Sequence, residues 1–246
     1  MLRALSIAVV LLGLPRGVTA QEVVIDLGGE GALTLEIVQL FLLITVLSLA
    51  PGIAIMMTCF PFMVTVLSLL RQAVGVQQAP PNMMIVSLAL FLTYFVMAPV
   101  FEQSWREGVS PMIEGELGAE AGFQATMGPI RDFMERRVDP ETIIVLEEAK
   151  PRSTGEVDAD NGRGDSGLSV LIPAFLLSEI KRGFEVGFLI FLPFLIIDLV
   201  VASILMAMGM MMVPPAVVAL PFKLAFFVLA DGWALLAGAL VRGYAV

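Results

Sequence analysis

The 246-residue chain contains no histidine. That absence removes histidine-dependent catalytic triads, histidine-ligated zinc and imidazole proton relays. Its one cysteine, Cys59, can form neither an internal disulfide nor a multi-cysteine metal site, and its apolar neighbours make it a small core residue. GxxxxGK(S/T) does not occur, and the one GxGxxG string, Gly162–Gly167, lies in a Gly/Asp-rich stretch with no strand pattern before it, so nucleotide binding is not indicated. No cofactor and no enzymatic activity is implied. Charge is scarce too, at 15% of residues, where soluble domains carry about 25%. What fills the chain instead is apolar: 58% of residues, with a mean hydropathy of +0.93. This is the composition of an integral membrane protein.

The net charge of −9 is unevenly placed. Residues 102–167 hold fifteen of the 23 acidic and seven of the 14 basic residues, a local balance of −8. An acidic, weakly apolar block between apolar stretches reads as a water-facing segment, and it argues against nucleic acid as a partner.

Residues 1–20 have the form of a cleavable secretory signal: Arg3, a short apolar core from Ala4 to Leu14, and small residues at Val18-Thr19-Ala20. Residues 21–35 are Gly-rich and acidic and read as an extended arm. From Ile37 to Leu70 there is no charge. A single helix of that length would run ~51 Å, beyond the ~30 Å hydrocarbon core of a bilayer. Pro51-Gly52 and Pro61 are the places to kink or break it. A polar turn, Arg71 to Asn82, leads to a second span, Met83 to Phe101, with Tyr94 and Trp105 towards its far end. Pro129 to Ala149 reads as two short helices split at Asp139-Pro140, and residues 151–167 as a mobile loop. Leu168 to Gly183 reads as an amphipathic helix. Val186 to Val213 and Pro214 to Val241 are two further apolar stretches.

The expected fold is therefore an all-α membrane protein with two long kinked helical hairpins separated by an extracytoplasmic helical segment. The expected organisation is a signal peptide at 1–20, an arm and first hairpin at 21–101, the acidic segment at 102–167, and an amphipathic helix with the second hairpin at 168–246. The short Arg71–Asn82 turn is basic and the long loop acidic, which places both short turns in the cytoplasm and both ends of the chain outside.

Charges inside the apolar stretches are the first functional candidates, because each is costly there and usually finds a partner. Asp198 lies in FLPFLIIDLVVASILM and Lys223 in ALPFKLAFFVLA, with Asp231 before Gly232-Trp233. Counted from Pro214-Pro215, a simple antiparallel hairpin does not bring Asp198 and Lys223 level. They read as an ion pair fixing register within or between subunits, as a proton or ion relay in a small-solute transporter, or as charges facing a water-filled lumen. Neither Asp198 nor Asp231 lies in the GxGD context of an aspartyl-protease pair. Glu179, Lys181, Arg182 and Glu185 have the i,i+3 and i,i+4 spacing of a solvated polar face or an intersubunit contact.

The second candidate is the run Met206-Ala-Met208-Gly-Met210-Met211-Met212, which is closed by Val213-Pro214-Pro215. Gly209 and the prolines break helix there, so the methionines sit on irregular backbone. At membrane depth such backbone is tolerated only when buried or lining a cavity. Methionine is deformable and polarizable. A soft apolar loop lining a cavity is suited to act as a seal.

These same segments carry a family resemblance. VLSLLRQA (Val66–Ala73) with QQAPPN (Gln77–Asn82), IPAFLLSEIKRGFEVGFLIFLPFLIIDLVVAS (Ile172–Ser203), MGMMMVPP (Met208–Pro215) and LPFKLAFFVLADGW (Leu220–Trp233) resemble the FliP family of type III export-gate proteins. PIRDFMERR (Pro129–Arg137) looks like the family's external helix. The resemblance implies a non-enzymatic, pore-forming subunit of the flagellar protein-export gate. Five copies would assemble with FliQ and FliR, near FlhA and FlhB, to pass unfolded flagellar proteins across the bacterial inner membrane. Much of each copy would lie on the periplasmic side. It further implies that Met208, Met210, Met211 and Met212 constrict the pore, and that Asp198 and Lys223 form an intersubunit ion pair. The signal-like residues 1–20 favour the flagellar branch over injectisome relatives. The stretch 138–168 follows no pattern of the family.

Overall fold

The computed structural model describes residues 32–76, 80–149 and 167–244, all of them helical or in turns between helices. The expected signal peptide at 1–20, residues 21–31 of the expected arm and residues 151–166 of the expected loop lie outside the described residues. The helices are α1 (Ala32–Met56), α2 (Phe60–Val74), α3 (Asn82–Ser104), α4 (Ser110–Ile113), α5 (Ala119–Arg137), α6 (Pro140–Ala149), α7 (Leu168–Ala207), α8 (Pro215–Leu229) and α9 (Gly232–Arg242). A π-helical turn, Trp105–Val109, joins α3 to α4. By length and composition, Ile37–Met56, Asn82–Ile113 and Leu168–Ala207 can each cross a membrane. So can α8 and α9 taken together, with a bend of 61° between them. The chain is an all-α membrane protein, as its composition implies.

Two compact units are present, Met1–Ser48 and Leu49–Val246. The described part of the first is the N-terminal portion of α1, which already begins at Ala32, so residues 32–35 are helical where an extended arm was expected. From Ile37 to Ser48 every residue is exposed.

In the second unit, the charge-free stretch breaks at Met57–Cys59, not at Pro51-Gly52. Pro51 stays inside α1, whereas Pro61 occupies the first turn of α2, where a missing N–H costs no helical hydrogen bond. Thr58 stabilises the break: its hydroxyl donates to the Ile55 carbonyl (2.8 Å) and accepts from the Phe60 N–H (3.4 Å).

Helix α2 is the centre of this unit, and its most extensive packing is against α7. Gly183 and Gly187 make the approach possible. A Cβ on Gly183 would press on Thr65, and one on Gly187 would overlap Leu69. Two glycines four residues apart form a flat strip on α7 against which α2 can lie, the small-residue solution to packing in membranes. The core joins Met63 and Val66 of α2, Ala89 and Met97 of α3, Met134 of α5 and Phe175 of α7, none of which is exposed. Burying a side chain the size of Phe175 stabilises by about 1.5–3 kcal/mol.

Two expectations change here. Leu168–Gly183 and the apolar stretch from Val186 are one continuous 40-residue helix, α7, with Pro173 and Pro193 inside it. At 1.5 Å per residue it is ~60 Å long, about twice the hydrocarbon core. The acidic segment is also not wholly water-facing. Helices α5 and α6 split where Asp139-Pro140 indicated, but α5 places Phe133 and Met134 in the shared core.

Candidate functional site

The methionine loop owes its shape to the way α7 ends. Gly209 takes φ +76°, the left-handed conformation that glycine adopts without a Cβ penalty. Its N–H donates to the Met206 carbonyl and that of Met210 to the Leu205 carbonyl, both at 3.0 Å. This pair of bonds is a Schellman motif, and it satisfies the last carbonyls of the helix. Pro215 then opens α8 at its first position. Residues 208–214 are held as a non-helical connection, as their sequence indicates.

Along that connection the side chains differ. Met208 and Met210 border an apolar groove of ≈ 510 Å³ between α7 and α8, beside Ile197, Val201, Leu205 and Phe222. Met211 and Met212 have no cover at all, at 85% and 99% exposure. Two adjacent uncovered methionines on a pinned turn form an apolar tip. Most of the exposed surface of α7 and α8 near it is also apolar, including Ile204, Val217 and Phe222.

Asp198 and Lys223 meet within one chain. The Lys223 ammonium donates to Asp198 Oδ2 at 2.6 Å and to the Ala73 carbonyl of α2 at 3.1 Å. Lys223 is buried, and a third of the Asp198 side chain is exposed. The resemblance implied a pair between subunits; within this one chain the two side chains pair with each other. The physical reason is the loop. Asp198 stands nine residues before the end of α7 and Lys223 eight after the start of α8. Those distances are ~13.5 and ~12 Å along the two helices, so the residues are level. Counting from Pro214-Pro215 charged the whole non-helical connection to α7. The second oxygen, Asp198 Oδ1, is shielded and has no hydrogen-bond partner among the described residues. A groove of ≈ 450 Å³ lies beside the pair, bordered by Arg71, Gly75 and Phe191.

Asp231 is not in a helix interior. It occupies the break between α8 and α9 with φ +50°, a left-handed conformation that Asp tolerates better than most residues.

The Glu179 cluster departs furthest from expectation. Glu179 is completely buried, not on a solvated face. It is in ion-pair range of Arg137 Nε (3.3 Å) and Arg182 NH1 (3.5 Å), and it accepts from the Tyr244 hydroxyl. Lys181 pairs not with Glu185 but with Asp139 at 2.7 Å, tying α6 to α7. Asp139 is held below the usual carboxylate range, first by that hydrogen bond from Lys181 and then by the Glu141 N–H. Burial, and next the Glu179 charge, raises the Tyr244 phenol far above its ordinary value, so it stays protonated and donates. Burial likewise pushes the Cys59 thiol up to about 12, leaving it inert at neutral pH. A signal for Glu179 did exist. Leu171, Phe175, Glu179, Gly183 and Gly187 recur every four residues and are all buried, so Glu179 lies on the inward stripe. Arg137 and Tyr244 carried no comparable sign.

Among the described residues, no group of three or more carboxylate or thiol side chains could hold a metal ion.

Comparison with known proteins bears on what this loop and these charges serve. A family model described as the FliP family matches residues 43–240. The chain is 50% identical over 236 residues to the flagellar biosynthetic protein FliP of Caulobacter vibrioides, covering 94% of this chain and 85% of that one. It is 46% identical to the flagellar biosynthetic protein FliP of Agrobacterium fabrum, over 99% of this chain and all of the other. With the protein of that name from Bacillus subtilis the identity is 42%, over 84% and 91% of the two chains.

Proposed function

This chain belongs to the FliP family, and from that membership we propose that it is the pore-forming core subunit of the flagellar type III protein-export gate. It is a flagellar biosynthesis component embedded in a membrane. In the fuller reading, about five copies assemble with FliQ and FliR in the bacterial inner membrane, close to FlhA and FlhB. Unfolded flagellar proteins pass through the centre. Part of the assembly, including the acidic segment, stands on the periplasmic side. In this reading the energy comes from elsewhere in the apparatus.

The observation that carries the reading is the pinned, uncovered tip of Met211 and Met212 between two apolar helices. Repeated around a ring, such tips form an apolar constriction. Methionine side chains close it by dispersion contact and yield to a passing chain through their three rotatable bonds. Asp198 and Lys223 set the register of α7, α8 and α2, and so fix where the tip stands.

The test is ionic conductance of the assembled complex in planar bilayers. Met210, Met211 and Met212 replaced together by Ala leave the mass of the complex unchanged and raise its resting conductance. Conductance equal to wild type in the intact assembly would remove the sealing role.

A further inference from the structure

After α9 the chain makes one more turn, Gly243-Tyr244, and this short strap touches three other helices. The Tyr244 hydroxyl donates to the buried carboxylate of Glu179 on α7. Its ring stands edge-on to Phe62 of α2 (5.4 Å between centroids) and stacks on Phe133 of α5 (6.1 Å). The Arg137 guanidinium, at the end of α5, lies 3.9 Å from the centre of that ring. Its NH1 donates to the Gly243 carbonyl at 2.9 Å, and its Nε is 3.3 Å from Glu179 Oε1. Arg137 therefore spends one face on Tyr244, one donor on the strap and one on α7.

The arrangement differs from a core residue in one respect. Gly243 is exposed and Tyr244 only half-buried, so the strap lies over the Glu179–Arg137 site and not beneath it. An open groove of ≈ 510 Å³ between α3 and α5, bordered by Gln103, Arg136, Arg137 and Tyr244, runs beside it. Only the last turn of α9 ties the strap down on its own side, through the Gly243 N–H on the Ala239 carbonyl and the Tyr244 N–H on the Val241 carbonyl, so it can leave with that turn alone. When it leaves, a fully buried carboxylate loses a hydrogen-bond donor, and Arg137 loses both its ring and its carbonyl. The Glu179–Arg137 pair is then either short of a donor or opened to water that weakens it, so the α5–α7 contact cannot persist unchanged. Glu179 also precedes Tyr244 by 65 residues, so during synthesis the site waits for the strap.

We propose that Gly243-Tyr244 is a latch: its docking onto the Glu179–Arg137 site locks α5 against α7, and its release frees α5 while the second hairpin stays folded. The latch is independent of the export reading, since it concerns only how this chain closes on itself.

Hydrogen–deuterium exchange of the purified full chain tests it, in wild type, Tyr244→Ala and Tyr244→Phe. Tyr244→Ala speeds exchange in the C-terminal half of α5 by more than the roughly 10- to 100-fold expected for losing one hydrogen bond to a buried charge, because the ring contacts go with it. The half of α7 after Phe194, and α8, exchange as in wild type. Tyr244→Phe, which keeps the ring, gives a smaller rise confined to the same peptides. Wild-type exchange in α5 of Tyr244→Ala would overturn the latch. So would an equal rise over the whole unit, or loss of helix content, because either makes Tyr244 an ordinary packing residue. Wild-type behaviour of Tyr244→Phe would overturn the role of its hydroxyl. Cys59 supplies a second readout, being fully buried in the same cluster. Its maleimide labelling accelerates in Tyr244→Ala if the strap seals that cluster, and unchanged labelling contradicts it.

Discussion

Single side chains decide the register of the second hairpin. Lys223 reaches both Asp198 and the Ala73 carbonyl, so it ties α8 to α7 and to α2 at one point. Lys223→Ala leaves Asp198 without its cation. The expected loss of stability is roughly 1–3 kcal/mol, less than for a fully buried pair because a third of Asp198 is exposed. Exchanging the two, Asp198→Lys with Lys223→Asp, recovers part of that loss in thermal unfolding and restores motility, as a register pair requires. Recovered stability without recovered motility would point instead to a chemical role for the charges. At this scale the sequence was partly legible. The placement of Asp198 and Lys223 within apolar stretches marked them as partners, and Gly209 with Pro214-Pro215 marked the irregular loop. Their pairing within one chain was not legible, because it depends on where α7 stops. Tyr244 was invisible: nothing in Arg-Gly-Tyr announces a ring folded back onto a carboxylate 65 residues earlier.

Among the elements, α7 does the most. It carries the inward stripe that holds Glu179, the glycine strip that receives α2, and the Schellman end that sets the methionine loop. Splitting it into an amphipathic helix and a separate apolar stretch followed the change in composition near Gly183. Composition changes there because the helix passes from a protein core to an apolar surface, not because it ends. Prolines are absorbed as well: Pro51 stays inside α1 although Pro51-Gly52 offered a break, and Pro173 and Pro193 stay inside α7. Gly187→Val tests the glycine strip. Its side chain would land on Leu69, and overpacking of this kind costs about 1–3 kcal/mol. Thermal unfolding in detergent should show that loss, while Gly52→Val, where a Cβ meets nothing, leaves stability unchanged.

On the scale of the whole molecule, one chain leaves much apolar surface uncovered. The length of α1 from Ile37, the outward face of α7 and much of α8 present apolar side chains to whatever surrounds them. Lipid can cover the outer surfaces. A methionine tip exposed at 85% and 99% on a fixed turn has the character of a surface completed by other copies or by a passing chain. In the proposed gate this tip lines the path of exported protein. The most direct measurement places a photo-crosslinking residue at Met211 or Met212 in the assembled apparatus, with an export substrate stalled in transit. Adducts to the substrate at those two positions, and none at Phe123 on the exposed side of α5, are the predicted result. A stalled substrate that never crosslinks to the tip, in an apparatus shown to hold it, would contradict the claim.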